Sequence, residues 1–285
     1  MYLPNHRRIC RAVAVSAAAA VLLAACSGGS DDAPAEKSAS ATTTAAPTTS
    51  PAPTLSPAEA AVAPLLDREA VDLATLPLPK PSGGGSPAAW DTSALIVRAL
   101  AVASQDEGLW TTKPGTGAIA KVAAAAPPQV TKSMNDFDTA KKEPPVSLFW
   151  ASTFADGFRP SAAKVVDARW ASTPSTDGSG LPIVIIEATT LYTFETASPV
   201  LVQRRFTIAV ERPVPDLGAF HWSVDVETGG ADDCRMWTEG VIAPKEDADT
   251  ARVQALVDHV VDQTKVETRV DEDDDVPTLR KEACA

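Results

Sequence analysis

Four apolar, β-branched stretches at residues 163–170, 183–194, 200–211 and 220–228 narrow the folds open to this chain more than any other feature. The last is the cleanest. Phe220, Trp222, Val224 and Val226 alternate with His221, Ser223, Asp225 and Glu227. Strand side chains point to opposite faces in turn, so one face meets a core and the other a more polar setting. Ala197-Ser198-Pro199 is a short connection and 213–218 a longer one. Links of this length favour antiparallel pairing of consecutive strands. Residues 146–154 are a further candidate strand.

Helical patterns flank these stretches. Residues 59–76 carry a short periodicity, broken by Pro77, Pro79, Pro81 and the glycines at 83–85. Residues 92–105 read as a helix, with Leu95, Ile96, Ala99, Leu100 and Ala103 at helical spacing. Asp91 or Thr92 is placed to cap its start, and Gly108 to end it. Another helix is expected over 117–126, before Pro127-Pro128. Residues 249–265 are amphipathic, with Val253, Leu256, Val257, Val260 and Val261 on one stripe that should dock on the domain.

Helices followed by a meander of strands predict an α+β fold: N-terminal helices packed on a curved antiparallel sheet, plus a C-terminal helix. The order of helix 92–105 and strands 163–170, 183–194, 200–211 and 220–228, ending in FHWSVDVE, resembles the NTF2-like (cystatin-like) architecture. That superfamily holds enzymes, small-ligand binders and interaction modules, so the resemblance implies a fold and leaves the function open.

The N-terminus carries a different signal. Arg7, Arg8 and Arg11 precede an apolar run over 12–25, which ends in small residues before Cys26. This is the pattern of a secretory signal, too short for a membrane span. Leu23-Ala24-Ala25-Cys26 resembles the lipobox of bacterial lipoproteins. The resemblance implies a diacylglyceryl group on the Cys26 thiol and cleavage just before it. Two acyl chains anchor stably, at roughly 0.8 kcal/mol per buried methylene. An ordinary secretory signal with a chance cysteine is the alternative.

From Ser27 to about Pro57 the chain is dominated by Ser, Thr, Ala, Pro and Gly, with a few charged residues and no aromatic residue, Val or Ile. Such a stretch has too little apolar surface to offset ordering entropy and reads as a tether spanning roughly 30 Å. The expected organisation is therefore a signal at 1–25, lipidated Cys26 and tether at 26–57, and one folded domain at 58–285.

The chain bears a net charge of −12, more acidic once the arginines of the signal are gone. That balance argues against nucleic acid as a partner. Cys10 leaves with the signal and Cys26 is the lipidation site, so Cys234 and Cys284 are expected to form a disulfide in an oxidising compartment. Two free thiols or a metal site are the alternatives, and no histidine pair lies nearby to support a metal. The acidic run 271–275 has the charge of a calcium loop but no turn-making Gly, and reads as a solvated stretch.

No nucleophile elbow, zinc-protease motif, phosphate loop or dinucleotide fingerprint occurs, and no cofactor is implied. His221 and Asp225 share the polar face of the last strand, as an acid–base pair or as solvent-facing residues. Arg204 falls in the apolar alternation with Val202 and Phe206. A buried Arg needs a partner, and Asp167 or Glu187 from neighbouring strands is expected to supply it. Arg204 then reads as an anion-binding group in a cavity, as a structural ion pair, or as a residue turned outward by a bulge.

The leading expectation is a non-catalytic binding or interaction module of the cell envelope, outside the cytoplasm and held to the membrane at Cys26. The alternative is a small-ligand carrier or isomerase-like enzyme with a cavity in the sheet, using groups among Asp167, Glu187, Arg204, His221 and Asp225. A cavity predicts an inward pocket with a few convergent polar groups. An interaction module predicts a filled sheet and an exposed apolar patch.

Overall fold

The computed structural model describes residues 57–81, 85–140, 147–174, 181–266 and 283–284. The signal, Cys26, almost all of the tether and the acidic run 271–275 lie outside them. The fold is α+β. Four strands, β1 (Ala162–Pro174), β2 (Pro182–Thr193), β3 (Val200–Val210) and β4 (Phe220–Gly229), form an open sheet in chain order, each antiparallel to the next. No described helix is long and apolar enough to cross a membrane.

α1 (Pro57–Leu66) packs with the last helix on one side of the sheet, and α2 (Pro87–Ala103) and α3 (Thr116–Ala123) begin the helix layer on the other. α2 lies across β2 and β3. It starts earlier than the sequence suggests, because the Ser86 hydroxyl accepts the Ala89 N–H at 3.1 Å. Pro87 then stands in the first turn, where a missing N–H costs nothing and its fixed φ suits the helix. The helix buries Ala94, Val97, Leu100 and Ala101, while Leu95 is 47% exposed.

α4 (Pro128–Ala140) begins in the same way with a proline in its first turn and packs on α3. The strand expected at 146–154 is instead a helical turn, α5 (Ser147–Trp150), followed by a single bridge between Phe154 and Ile242. The reason is steric. Phe149 and Trp150 are consecutive, and both enter the core, 5% and 3% exposed. A pleated strand would send one of them outward. Trp150 packs edge-on against Trp222 with ring centroids 5.0 Å apart, and lies 6.2 Å from Phe206. Phe149 meets Trp237, 5.7 Å away, on α6 (Asp233–Glu239). These rings, with Trp90, Ile186, Tyr192, Ile208 and Val224, fill the space between the helices and one sheet face.

The other face is covered differently. α7 (Thr250–Val261) sets Val253, Leu256, Val257 and Val260 against Val62 and Leu65 of α1 and against Val166, Leu191 and Leu201 of the sheet. Val166 reaches this cluster because the β1–β2 register shifts between Val165 and Asp167. Cys234 and Cys284 are joined in a disulfide with an S–S distance of 2.08 Å.

Candidate functional site

Side-chain parity divides the sheet into two chemically distinct faces. On the α7 face, Arg169 stands opposite Glu187, Glu187 opposite Arg205, and Arg205 opposite Asp225. Opposite charges thus alternate across all four strands, an arrangement that stabilises cross-strand neighbours. Arg169 bridges two carboxylates, 2.6 Å from Asp167 and 3.0 Å from Glu187. Arg205 lies 3.3 Å from Asp225. From α7, His259 places Nε2 2.6 Å from a Glu187 oxygen. Beyond it, Gln263 donates to the Val260 carbonyl at 2.7 Å and reaches Asp167 at 3.4 Å. Arg169 also donates to the Thr264 carbonyl. The row therefore clamps the end of α7 to the sheet.

Four of the five polar residues expected in a cavity, namely Asp167, Glu187, His221 and Asp225, lie on this face. Arg204 does not. It pairs in register with Ala188 and Val226 and points into the helix layer, 1% exposed. The expectation that Asp167 or Glu187 partners Arg204 is corrected by this parity, since both carboxylates project from the opposite side of the sheet. In their place, Arg204 Nε donates to the Phe149 carbonyl at 3.1 Å and Nη1 to Ser152 Oγ at 2.8 Å.

Ser152 Oγ shares a 2.6 Å hydrogen bond with the Tyr192 hydroxyl, which also meets Gln105 Oε1 at 2.9 Å. Thr190 donates to the same Gln105 oxygen at 2.9 Å. Burial pushes the Tyr192 hydroxyl above its ordinary pKa and pulls Arg204 below its own, and each partly offsets the other. This network ties α5 and the residues after α2 to β2 and β3.

Arg169, Arg205 and His259 escape a reading by sequence alone, because their roles exist only once the strands are in register. One signal was legible: if Arg204 faces the apolar side, Arg205 must face away and sit among the carboxylates. Among the described residues, no three His, Cys, Asp or Glu converge as metal ligands. The chemistry this face can perform is electrostatic. Asp167, Glu187 and Asp225 are held by arginines, and the His259–Glu187 pair is part of the clamp.

Removing Glu187 tests that view. Glu187→Ala takes the carboxylate from His259 and leaves Arg169 with Asp167, and should cost about 2–3 kcal/mol, below the range for fully buried pairs because both partners keep some solvent contact. Glu187→Gln should lose less. Urea unfolding of both variants reads the difference, and equal stability with the parent would show that the row does not hold α7.

No protein-family model, curated protein or solved structure matches this chain.

Proposed function

We propose that this chain is a lipid-anchored lipoprotein of the cell envelope, with an NTF2-like domain that acts by binding and not by catalysis. One observation carries the non-catalytic part. The helix-facing side of the sheet, where a carrier or isomerase would need a cavity, is packed with Trp150, Phe206, Trp222 and Val224. The polar groups that enter this layer, Arg204, Tyr192 and Ser152, bond one another. On the other face, Asp167, Glu187 and Asp225 are engaged by arginines. A general base has to be free to take a proton, and carboxylates paired in this way are poor candidates.

The anchoring part rests on Leu23-Ala24-Ala25-Cys26 and on the Ser/Thr/Ala/Pro-rich stretch that follows it. A flexible tether between lipid and domain leaves the domain free to meet partners at a distance from the bilayer. The NTF2-like part draws on the order of helix and antiparallel strands.

Intact mass of the protein from the membrane fraction tests the anchor. A diacylglyceryl mass on a chain that starts at Cys26, absent from Cys26→Ala, is the expected result. An unmodified, released chain would overturn membrane tethering and leave a secreted binding module.

A further inference from the structure

A cleft of about 610 Å³ opens where three segments meet, the loop 110–114, the turn 154–159, and α6 with Val241. Its lining shares no residue with the charged row or the Arg204 network, although its Trp110 and Phe154 rings back onto Tyr192, with centroids 6.2 and 5.0 Å away. Its volume is in the range of small-molecule sites, roughly 300–1,000 Å³. The walls are laced together by the backbone. Phe154 N–H donates to the Trp110 carbonyl at 3.0 Å, Ala155 N–H to Ile242 at 2.9 Å, and Ile242 N–H to Thr153 at 2.8 Å. Lys121 ties the loop to α3 through the Gly108 carbonyl at 3.0 Å and the Thr112 hydroxyl at 2.9 Å. Such a site is preformed, so a ligand would lose little to ordering it.

The lining has an apolar part and a charged rim. Phe154 packs edge-on to Trp110, with centroids 6.5 Å apart, and Phe158 is partly exposed beside them. On the rim, Arg235 forms a two-pronged pair with Glu239, at 3.0 and 2.7 Å. Asp156 also acts on Arg235. Of the two carboxylates of the lining, Glu239 is thus taken up by Arg235. Lys113 and Arg159 line the same cleft, and neither has a hydrogen-bond or ion-pair partner among the described residues. Both are exposed. In a chain of net charge −12, a cleft with three cations and two acids stands out. The charge it lacks is negative.

We propose that this cleft binds a small oxyanion carried on a compact apolar body, with Lys113 and Arg159 holding the anion and Phe158 meeting the body. The proposal deepens the binding reading above and rests on it, but it is independent of the lipid anchor. Calorimetric titration of the full chain bearing Cys26→Ala tests it with phenyl phosphate and benzoate, which separate a phosphate from a carboxylate preference. At least one probe should bind saturably at one per chain. Inorganic phosphate should bind more weakly, because it leaves the apolar wall uncovered.

Lys113→Ala and Arg159→Ala should each weaken that binding about tenfold, as expected for loss of one charge-assisted contact. Lys132→Ala, on α4 and paired with Asp136, should leave it unchanged. Both cleft side chains are exposed, so thermal unfolding of the variants should match the parent, and Lys113→Glu supplies a second variant. Absence of saturable binding to about 10 mM of either probe, or equal affinity in parent and cleft variants, would overturn the proposal. Anion binding by a chain that proves unacylated would keep the cleft and remove only the membrane.

Discussion

Arg204→Ala should destabilise the domain by about 4–5 kcal/mol, a large part of the 5–15 kcal/mol that holds an ordinary domain together. Two costs add. The first is loss of partners. Arg204 donates to the Phe149 carbonyl and to Ser152, and it is 1% exposed, so water does not readily replace it. A buried group left without its partner costs about 1–3 kcal/mol. The second cost is the void left by a large side chain in a packed layer. Arg204→Met fills most of that volume and should lose only about 2–3 kcal/mol, the polar share.

The triple variant Arg204→Met, Tyr192→Phe, Ser152→Ala removes the three side-chain groups together and leaves the Phe149 carbonyl as an acceptor that has lost its donor. It should recover much of the loss, since whole polar groups replaced by apolar ones of similar size can be nearly neutral. Urea unfolding midpoints at constant m-value decide the matter. A loss below about 1 kcal/mol for Arg204→Ala would mean that α5 is held by Phe149 and Trp150 alone.

The same residue marks how far the sequence could be read. Alternation correctly set Arg204 on the apolar side with Val202 and Phe206, and Phe220, Trp222, Val224 and Val226 on the helix side. The antiparallel order β1 to β4 also follows from alternation and short connections. Partners were not legible. Which residue stands across from Arg204 depends on register, and register depends on the connections and on the shift between Val165 and Asp167. The charged row of Arg169, Glu187, Arg205 and Asp225 is a product of that register.

Short helices failed for another reason. In α5 four residues give no period to detect. In α6 seven residues give little more, and the start is set by Asp232, which caps the helix by accepting the Arg235 N–H at 3.1 Å. The cleft is built mainly from loops brought together by tertiary packing, and no sequence period encodes it.

Breaking the Cys234–Cys284 disulfide should cost about 4 kcal/mol, the entropy of freeing a loop whose ends lie 50 residues apart. The effect belongs mostly to the unfolded chain. Cys284 is itself exposed and buries little, although its neighbour Ala283 packs on the main core. The double variant Cys234→Ser, Cys284→Ser should therefore unfold at a lower temperature, and reductant should shift the parent to the same point while leaving the variant where it is. A shift worth less than about 1 kcal/mol would mean that the unfolded chain is already restrained near this link. The prediction also bears on where the protein works. A bond of this kind persists outside the cytoplasm and is reduced within it. If export is correct, protein recovered from the cell surface should show the higher transition. The same chain kept in a reducing cytoplasm by deletion of residues 1–25 should show the lower one, and oxidation in vitro should restore it.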